Sequence, residues 1–153
     1  MKKRFSRKER QIIQGFANLI DDEIIIKQGK RYETDVPNKV IYLGYKNYTE
    51  LDEFFENWFQ KQEFYTPIYD KLITILHEIG HIKCDTTETE EERAILDGAF
   101  HFIYEQGQIS LEELNHAYFE IPAETNATKW GVDFYKNNTD LCEKFAELVG
   151  LNN

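Results

Sequence analysis

A His-Glu-x-x-His pattern inside an apolar stretch is the feature that most constrains this chain. Residues 77–81 read His-Glu-Ile-Gly-His. Positions four apart on an α-helix differ by about 40° around the axis and about 6 Å along it, so His77 and His81 project from one face. Two imidazoles placed in this way can bind one metal ion at about 2.0–2.1 Å. The pattern therefore predicts a helix that carries two metal ligands, with Glu78 able to reach a water held by that metal.

The residues around the two histidines favour a buried helix. Pro67 suits a first helical turn, and the apolar pattern continues from there to Lys83. Five aliphatic side chains surround the motif: Ile73, Ile75, Leu76, Ile79 and Ile82. The chain has 4 histidines in all. Two of them at this spacing around a glutamate favour metal binding over a coincidental pair of core histidines.

A catalytic zinc ion usually has three protein ligands and one open position, so a third ligand is needed. Glu124 is the candidate that we favour, in the first turn of a helix predicted to begin at Pro122. Small residues follow it at the third, fourth and seventh positions: Ala127, Thr128 and Gly131. Such a stripe lets two helix backbones approach closely, as a shared metal ion would require.

Other residues compete with Glu124 for this role. Cys84 lies three residues after His81, near the same helix face, but in an awkward geometry for the same ion. Four glutamates further along the chain are also candidates, although a run of acids is typical of a solvated face: Glu88, Glu90, Glu91 and Glu92. Glu124 could also be a first-turn acid that the helix N-terminus stabilises.

The rest of the chain predicts one mostly helical α+β domain over 1–153. Residues 23–33 and 38–45 are rich in β-branched and aromatic side chains, which predicts two short strands, separate or joined as a hairpin. We expect this small N-terminal sheet to pack near the motif helix. The first predicted helix is a basic one within 1–20, with helical spacing of apolar residues from Ile12 onward. The other predicted helices are 49–61, 67–83, 88–107, a short one from 110, 122–136 and a C-terminal one within 139–153.

Charge and composition exclude several classes of partner and location. The chain has 28 acidic and 18 basic residues and a net charge of −10, which is unfavourable for direct nucleic-acid binding. No apolar run approaches the roughly 18–20 residues of a membrane span, and no secretory leader is evident. Its 2 cysteines provide no disulfide framework. We therefore expect a cytoplasmic protein; no sequence feature sets its oligomeric state.

The two motifs together resemble the ImmA/IrrE-type zinc metallopeptidases, gluzincin-like proteins of bacteria, their prophages and integrative elements. The resemblance lies in His-Glu-Ile-Gly-His on one helix and Glu-x-x-Ala-x-x-Trp-Gly, residues 124–131, on a later one. It implies a zincin-like fold and one zinc ion bound by His77, His81 and Glu124, with Glu78 as the catalytic base. The chain departs from the family where Thr128 replaces a common asparagine and where the stretch between the motifs is long.

The resemblance also implies an activity and a substrate surface. The expected reaction is hydrolysis of a protein substrate, such as a repressor or another regulator, by a zinc endopeptidase. An edge strand beside the cleft would hold extended substrate, and the strand predicted for that role comprises Val40, Ile41, Tyr42 and Leu43. A zinc-binding regulatory or interaction protein without turnover is the alternative, and a metal-free helical domain is a third possibility.

Two further roles in the expected site each have several candidate residues. A group that stabilises the oxyanion of the transition state has four candidates: Tyr135, Tyr118, His101 and His116. A hydrogen-bond acceptor that orients a histidine ring has three candidates: Asp97, Thr128 and Asp133. The spacing of these residues does not select among them.

Overall fold

The structure of the chain is a computed structural model, and it describes residues 3–47, 70–84 and 122–151. These residues form four helices and one three-stranded sheet, a mostly helical α+β fold, as predicted. The elements are α1 (Arg7–Ile20), β1 (Ile25–Gln28), β2 (Glu33–Asp35), β3 (Val40–Leu43), α2 (Asp70–Lys83), α3 (Pro122–Asn137) and α4 (Thr139–Val149). No helix among them is long and apolar enough to cross a lipid bilayer. The helices predicted over 49–61, 88–107 and from 110 lie outside the described residues.

The first and last helices begin and end where local hydrogen bonds allow. Helix α1 begins after Ser6, whose hydroxyl accepts from the backbone N–H of Glu9 while the Glu9 carboxylate accepts from the backbone N–H of Ser6. This capping box sets the start of the helix predicted within 1–20 at Arg7. Helix α4 has Asn138 at its N-cap and ends at Gly150, which has a φ of 77°.

The sheet has the strand order β1-β3-β2. β1 pairs with β3 in parallel, and β2 pairs with β3 antiparallel. The single strand predicted over 23–33 is therefore wrong, because the chain leaves β1 after Gln28 and returns as β2 from Glu33. The Gln28 side chain donates to the backbone carbonyls of Leu43 and Gly44 at 2.9 and 3.1 Å. The hairpin of this sheet is β2–β3.

The strand predicted as the substrate edge is the central strand of this sheet. Val40, Ile41, Tyr42 and Leu43 have partners on both sides: Ile41, for example, is opposite Ile26 of β1 and Thr34 of β2. A central strand has no free backbone groups for a fourth strand, so the edge assignment of β3 is wrong. The strand beside α2 that has only one neighbour within the described residues is β2.

The core lies between the sheet and the helices. Phe16 of α1 stacks on Phe145 of α4 with ring centroids 3.9 Å apart, and both rings are buried. The buried side chains of β3 and α2 complete this cluster: Ile41, Leu43, Leu72, Ile75, Leu76 and Ile79. Helix α2, which carries the His-Glu-x-x-His motif, therefore lies inside the domain, packed on α3 and next to β2 and β3.

Helices α2 and α3 approach each other at two glycines. A Cβ atom on Gly80 would lie 2.4 Å from the backbone oxygen of Ala127, and one on Gly131 would lie 3.1 Å from the Cβ of Leu76. The small residues of α3 thus face α2, as the sequence predicted. Because Gly80 stands between the two histidines, this contact is located at the metal-binding motif itself.

Replacement of Gly80 by alanine is expected to destabilise the protein by about 1–3 kcal/mol, since a methyl group there overlaps the α3 backbone. Gly15, inside α1, is the matched control, because a Cβ there has no atom within 4 Å. Gly15→Ala is expected to be neutral or stabilising by up to about 1 kcal/mol. Urea unfolding of the metal-free variants measures both changes. Equal stability of the two variants would contradict the close approach of α2 and α3.

Candidate metal centre

Three metal-binding side chains converge between α2 and α3. The Nε2 atoms of His77 and His81 lie 2.9 and 3.1 Å from Oε2 of Glu124 and 3.1 Å from each other. The three residues are 5%, 8% and 4% exposed, respectively. They are the one group of this kind found within the described residues. The structure therefore brings together the two motifs that the sequence separates by 43 residues (124 − 81 = 43).

The triangle formed by these three atoms fits a single small cation. A tetrahedral zinc ion with bonds of about 2.0–2.1 Å needs ligand atoms about 3.3–3.4 Å apart. The observed edges of 2.9–3.1 Å are a few tenths of an ångström shorter. Small rotations of the side chains are enough to close that difference, and all three atoms already lie within reach of one ion.

The Thr128 hydroxyl fixes which nitrogen of His77 faces the centre. Thr128 Oγ1 donates its only hydrogen to the backbone oxygen of Glu124 at 3.0 Å. Its oxygen, 2.7 Å from Nδ1 of His77, therefore accepts from that nitrogen. A neutral His77 then presents a lone pair at Nε2, the form that binds metal ions. Of the three candidates for orienting a ring, the structure selects Thr128 for His77.

The buried carboxylate of Glu124 gives the centre a negative charge, which favours a bound cation. Burial raises the pKa of the Glu124 carboxyl, but hydrogen bonds and charge interactions with His77 and His81 outweigh it and hold the pKa far below its usual range. That lowering requires protons on the imidazole nitrogens that face Glu124. When His77 is neutral and donates its Nδ1 hydrogen to Thr128, its Nε2 atom carries no proton, so this nitrogen and Oε2 of Glu124 are both acceptors, 2.9 Å apart. Acceptors at 2.9–3.1 Å in a buried site repel each other unless a proton or a metal ion lies between them.

Glu78 is held by a residue of the sheet. Its side chain is 7% exposed, and its Oε2 atom accepts a short hydrogen bond from the hydroxyl of Thr34 in β2. The same hydroxyl lies 3.2 Å from the Glu78 backbone oxygen. Thr34 was not predicted from the sequence, because it falls between the two predicted strands and contacts a residue 44 positions away. No pattern in the sequence points to this pair.

The remaining candidates stand away from the centre or outside the described residues. Tyr135 lies eleven residues after Glu124 (135 − 124 = 11), a rise of about 16 Å along α3. Its hydroxyl donates to Oε1 of Glu143 at 2.5 Å, so it is not brought to the cluster. Asp133 and Cys84 are exposed. The candidates outside the described residues are Asp97, His101, His116, Tyr118, Glu88, Glu90, Glu91 and Glu92.

Loss of the Thr128 hydroxyl is expected to weaken zinc binding about 10–100-fold, because His77 loses the hydrogen bond that orients its ring. Thr128→Val removes the hydroxyl at nearly constant volume, and Thr128→Ser keeps it. Competition with a chromophoric chelator measures both affinities, with circular dichroism as the check on folding. An affinity of Thr128→Val equal to that of the wild-type protein would show that Thr128 does not orient the ligand.

Comparison of the chain with protein-family models, curated proteins and solved structures finds no match. Membership of the ImmA/IrrE-type metallopeptidases therefore stays a prediction from the two sequence motifs. The geometry of the centre is independent of that prediction: His77, His81 and Glu124 form a buried cluster that could bind a metal ion.

Proposed function

We propose that the chain is a zinc-dependent endopeptidase that hydrolyses a protein substrate, with a repressor or another regulator as the expected target. The observation that carries the proposal is the convergence of two imidazoles and one carboxylate, with edges of 2.9–3.1 Å, while a second buried carboxylate, Glu78, is next to His77 in the chain. The two carboxylates have different partners: Glu124 faces the histidines, and Glu78 faces Thr34. One is suited to bind a metal ion, the other to transfer protons.

The donor set favours zinc over other common ions. Imidazole nitrogens and a single carboxylate suit Zn²⁺, whereas Ca²⁺ and Mg²⁺ prefer six or more oxygen ligands. His77, His81 and Glu124 would hold one such ion and leave a position for water. A zinc ion in that place supplies a Lewis acid, which lowers the pKa of a water to about 7 and polarises a carbonyl group.

Glu78 provides the acid–base chemistry in this proposal. Its carboxylate accepts a proton from the attacking water and returns it to the amine that leaves when the peptide bond breaks. Burial of this side chain limits the number of competing waters, and the Thr34 hydroxyl restricts its rotation. Preorganised groups of this kind lower the barrier because they do not have to reorient during the reaction.

We assign the substrate edge to β2 in place of β3. β2 has one neighbour within the described sheet, and its middle residue, Thr34, contacts Glu78. An extended peptide that adds to this edge would run beside the catalytic base. A cavity of about 200 Å³ at the same edge, lined by Glu33, Thr34, Asp35 and Tyr42, offers space for a substrate side chain.

The proposed setting is the cytoplasm, without direct nucleic-acid binding. Cys84 and Cys142 are free thiols, which favours a reducing compartment. A net charge of −10 disfavours contact with phosphate backbones. The proposed partner is therefore the protein substrate itself.

The purified protein is expected to bind one zinc ion per chain. Glu124→Gln removes the ligand charge at constant volume and is expected to weaken zinc binding by more than about 100-fold, beyond the effect of residues that only orient ligands. Glu147→Gln, on an exposed position of α4, is the matched control and should leave binding unchanged. Elemental analysis and chelator competition provide the readout. Equal zinc content in both variants would overturn the assigned site.

Replacement of Glu78 by glutamine is expected to leave zinc binding intact and to abolish hydrolysis, since an amide cannot accept the proton. The measurement is amino-terminal proteomics of a bacterial lysate incubated with the zinc-loaded wild-type protein or with Glu78→Gln. New amino termini should appear only with the wild-type protein. Identical sets of termini in the two samples would contradict the enzymatic function and favour a zinc-binding regulatory protein.

A further inference from the structure

We infer that Thr34 is the positioning residue of the catalytic base: its hydroxyl binds one carboxylate oxygen of Glu78 and leaves the other oxygen to take the proton from water. The inference rests on the function proposed above and adds a residue from the sheet to it. Its basis is the short hydrogen bond from Thr34 Oγ1 to Glu78 Oε2.

The register of the sheet explains how Thr34 reaches α2. Thr34 is opposite Ile41 of β3, and Ile41 is opposite Ile26 of β1, so the three side chains form one row on one face of the sheet. Ile41 is fully buried. The neighbours of Thr34 in β2, Glu33 and Asp35, project to the opposite face because side chains alternate along a strand. Thr34 is therefore the one side chain of β2 on this face, and it contacts Glu78 of α2.

A hydroxyl at this position supplies a hydrogen-bond donor to the buried Glu78 carboxylate. A buried carboxylate without a hydrogen-bond donor is costly, and the remaining two members of the row, Ile26 and Ile41, have none to offer. Within the described residues, the hydrogen bond recorded for the Glu78 side chain is the one from Thr34 to Oε2. The bond engages this oxygen and thereby makes Oε1 the atom that exchanges protons.

The proton balance of the step follows from this arrangement. The attacking water gives a proton to Oε1 of Glu78, and the same proton passes to the amine nitrogen when the peptide bond breaks. The Thr34 hydrogen stays on Oγ1 throughout. Thr34 therefore acts only through Glu78, and a peptide added along β2 would hold Thr34, and through it Glu78, in place.

The test uses the full chain loaded with Co²⁺ and acetohydroxamate as the probe. The probe enters as neutral acetohydroxamic acid and binds a divalent metal ion as its anion, so the proton that its hydroxyl group loses is taken up by a nearby base. Its dissociation constant, measured from the cobalt absorption spectrum, thus reports whether Glu78 is in place without any turnover. Glu78→Gln should weaken this binding strongly, and Thr34→Val should weaken it about tenfold.

Two variants separate positioning from packing. Thr34→Ser keeps the hydroxyl and should bind acetohydroxamate within about threefold of the wild-type protein, while Thr139→Val loses a hydroxyl bonded to the Tyr135 backbone oxygen in α3 and should have no effect. Cobalt content should be equal in all variants within experimental error. Thr34→Ala takes the place of Thr34→Val if the valine variant loses its helical circular dichroism.

The outcomes distinguish this inference from the function on which it rests. Wild-type affinity in Thr34→Val, together with weak binding in Glu78→Gln, overturns the role of Thr34 and leaves the proposed function standing. Failure of the wild-type protein to bind cobalt, or unchanged acetohydroxamate binding in Glu78→Gln, overturns the proposed function and this inference together.

Discussion

The close approach of α2 and α3 is the constraint on which the centre depends. The histidines belong to one helix and Glu124 to the other, so their contact distances of 2.9–3.1 Å are set by the separation of two backbones. Gly80 and Ala127 fix that separation, because any side chain on Gly80 would overlap the backbone of α3. The residue that lets the helices touch thus lies within the motif that supplies the ligands. Packing and ligand geometry cannot vary independently here.

The same packing buries the negative charge of Glu124, which a bound metal ion would neutralise. Burying the Glu124 carboxylate removes it from water, at a cost that only a positive partner or several donors can offset. A neutral imidazole offsets that cost only by donating a hydrogen from the nitrogen that faces the carboxylate, and Thr128 holds the hydrogen of a neutral His77 on Nδ1, away from Glu124. A divalent ion binds the folded arrangement and not the dispersed residues of the unfolded chain, so its binding free energy adds to stability. Binding of a metal ion at this cluster would therefore be coupled to folding.

Local periodicity explains what could be predicted and what could not. The shared face of His77 and His81 and the small-residue stripe after Glu124 follow from helix geometry, and the structure confirms both. The order of the strands does not follow from local patterns, since β1 reaches its place beside β3 by a parallel pairing that skips β2. The partner of Glu78 could not be predicted for the same reason, because Thr34 is 44 residues away and its position depends on the register of β2 with β3. Tyr135 is different, because its distance of about 16 Å from Glu124 along one helix could have been calculated from the sequence.

Two adjacent side chains of α2 are each hydrogen-bonded to a threonine from a different neighbouring element. Thr128 of α3 holds His77, and Thr34 of β2 holds Glu78. Because His77 and Glu78 are adjacent in the chain, their side chains point about 100° apart around the helix, and no single neighbouring element could orient both. The side of α2 that carries His77 therefore faces another helix, and the side that carries Glu78 faces the sheet. That requirement accounts for the position of α2 between α3 and β2, and it makes the small sheet a part of the centre as well as of the core.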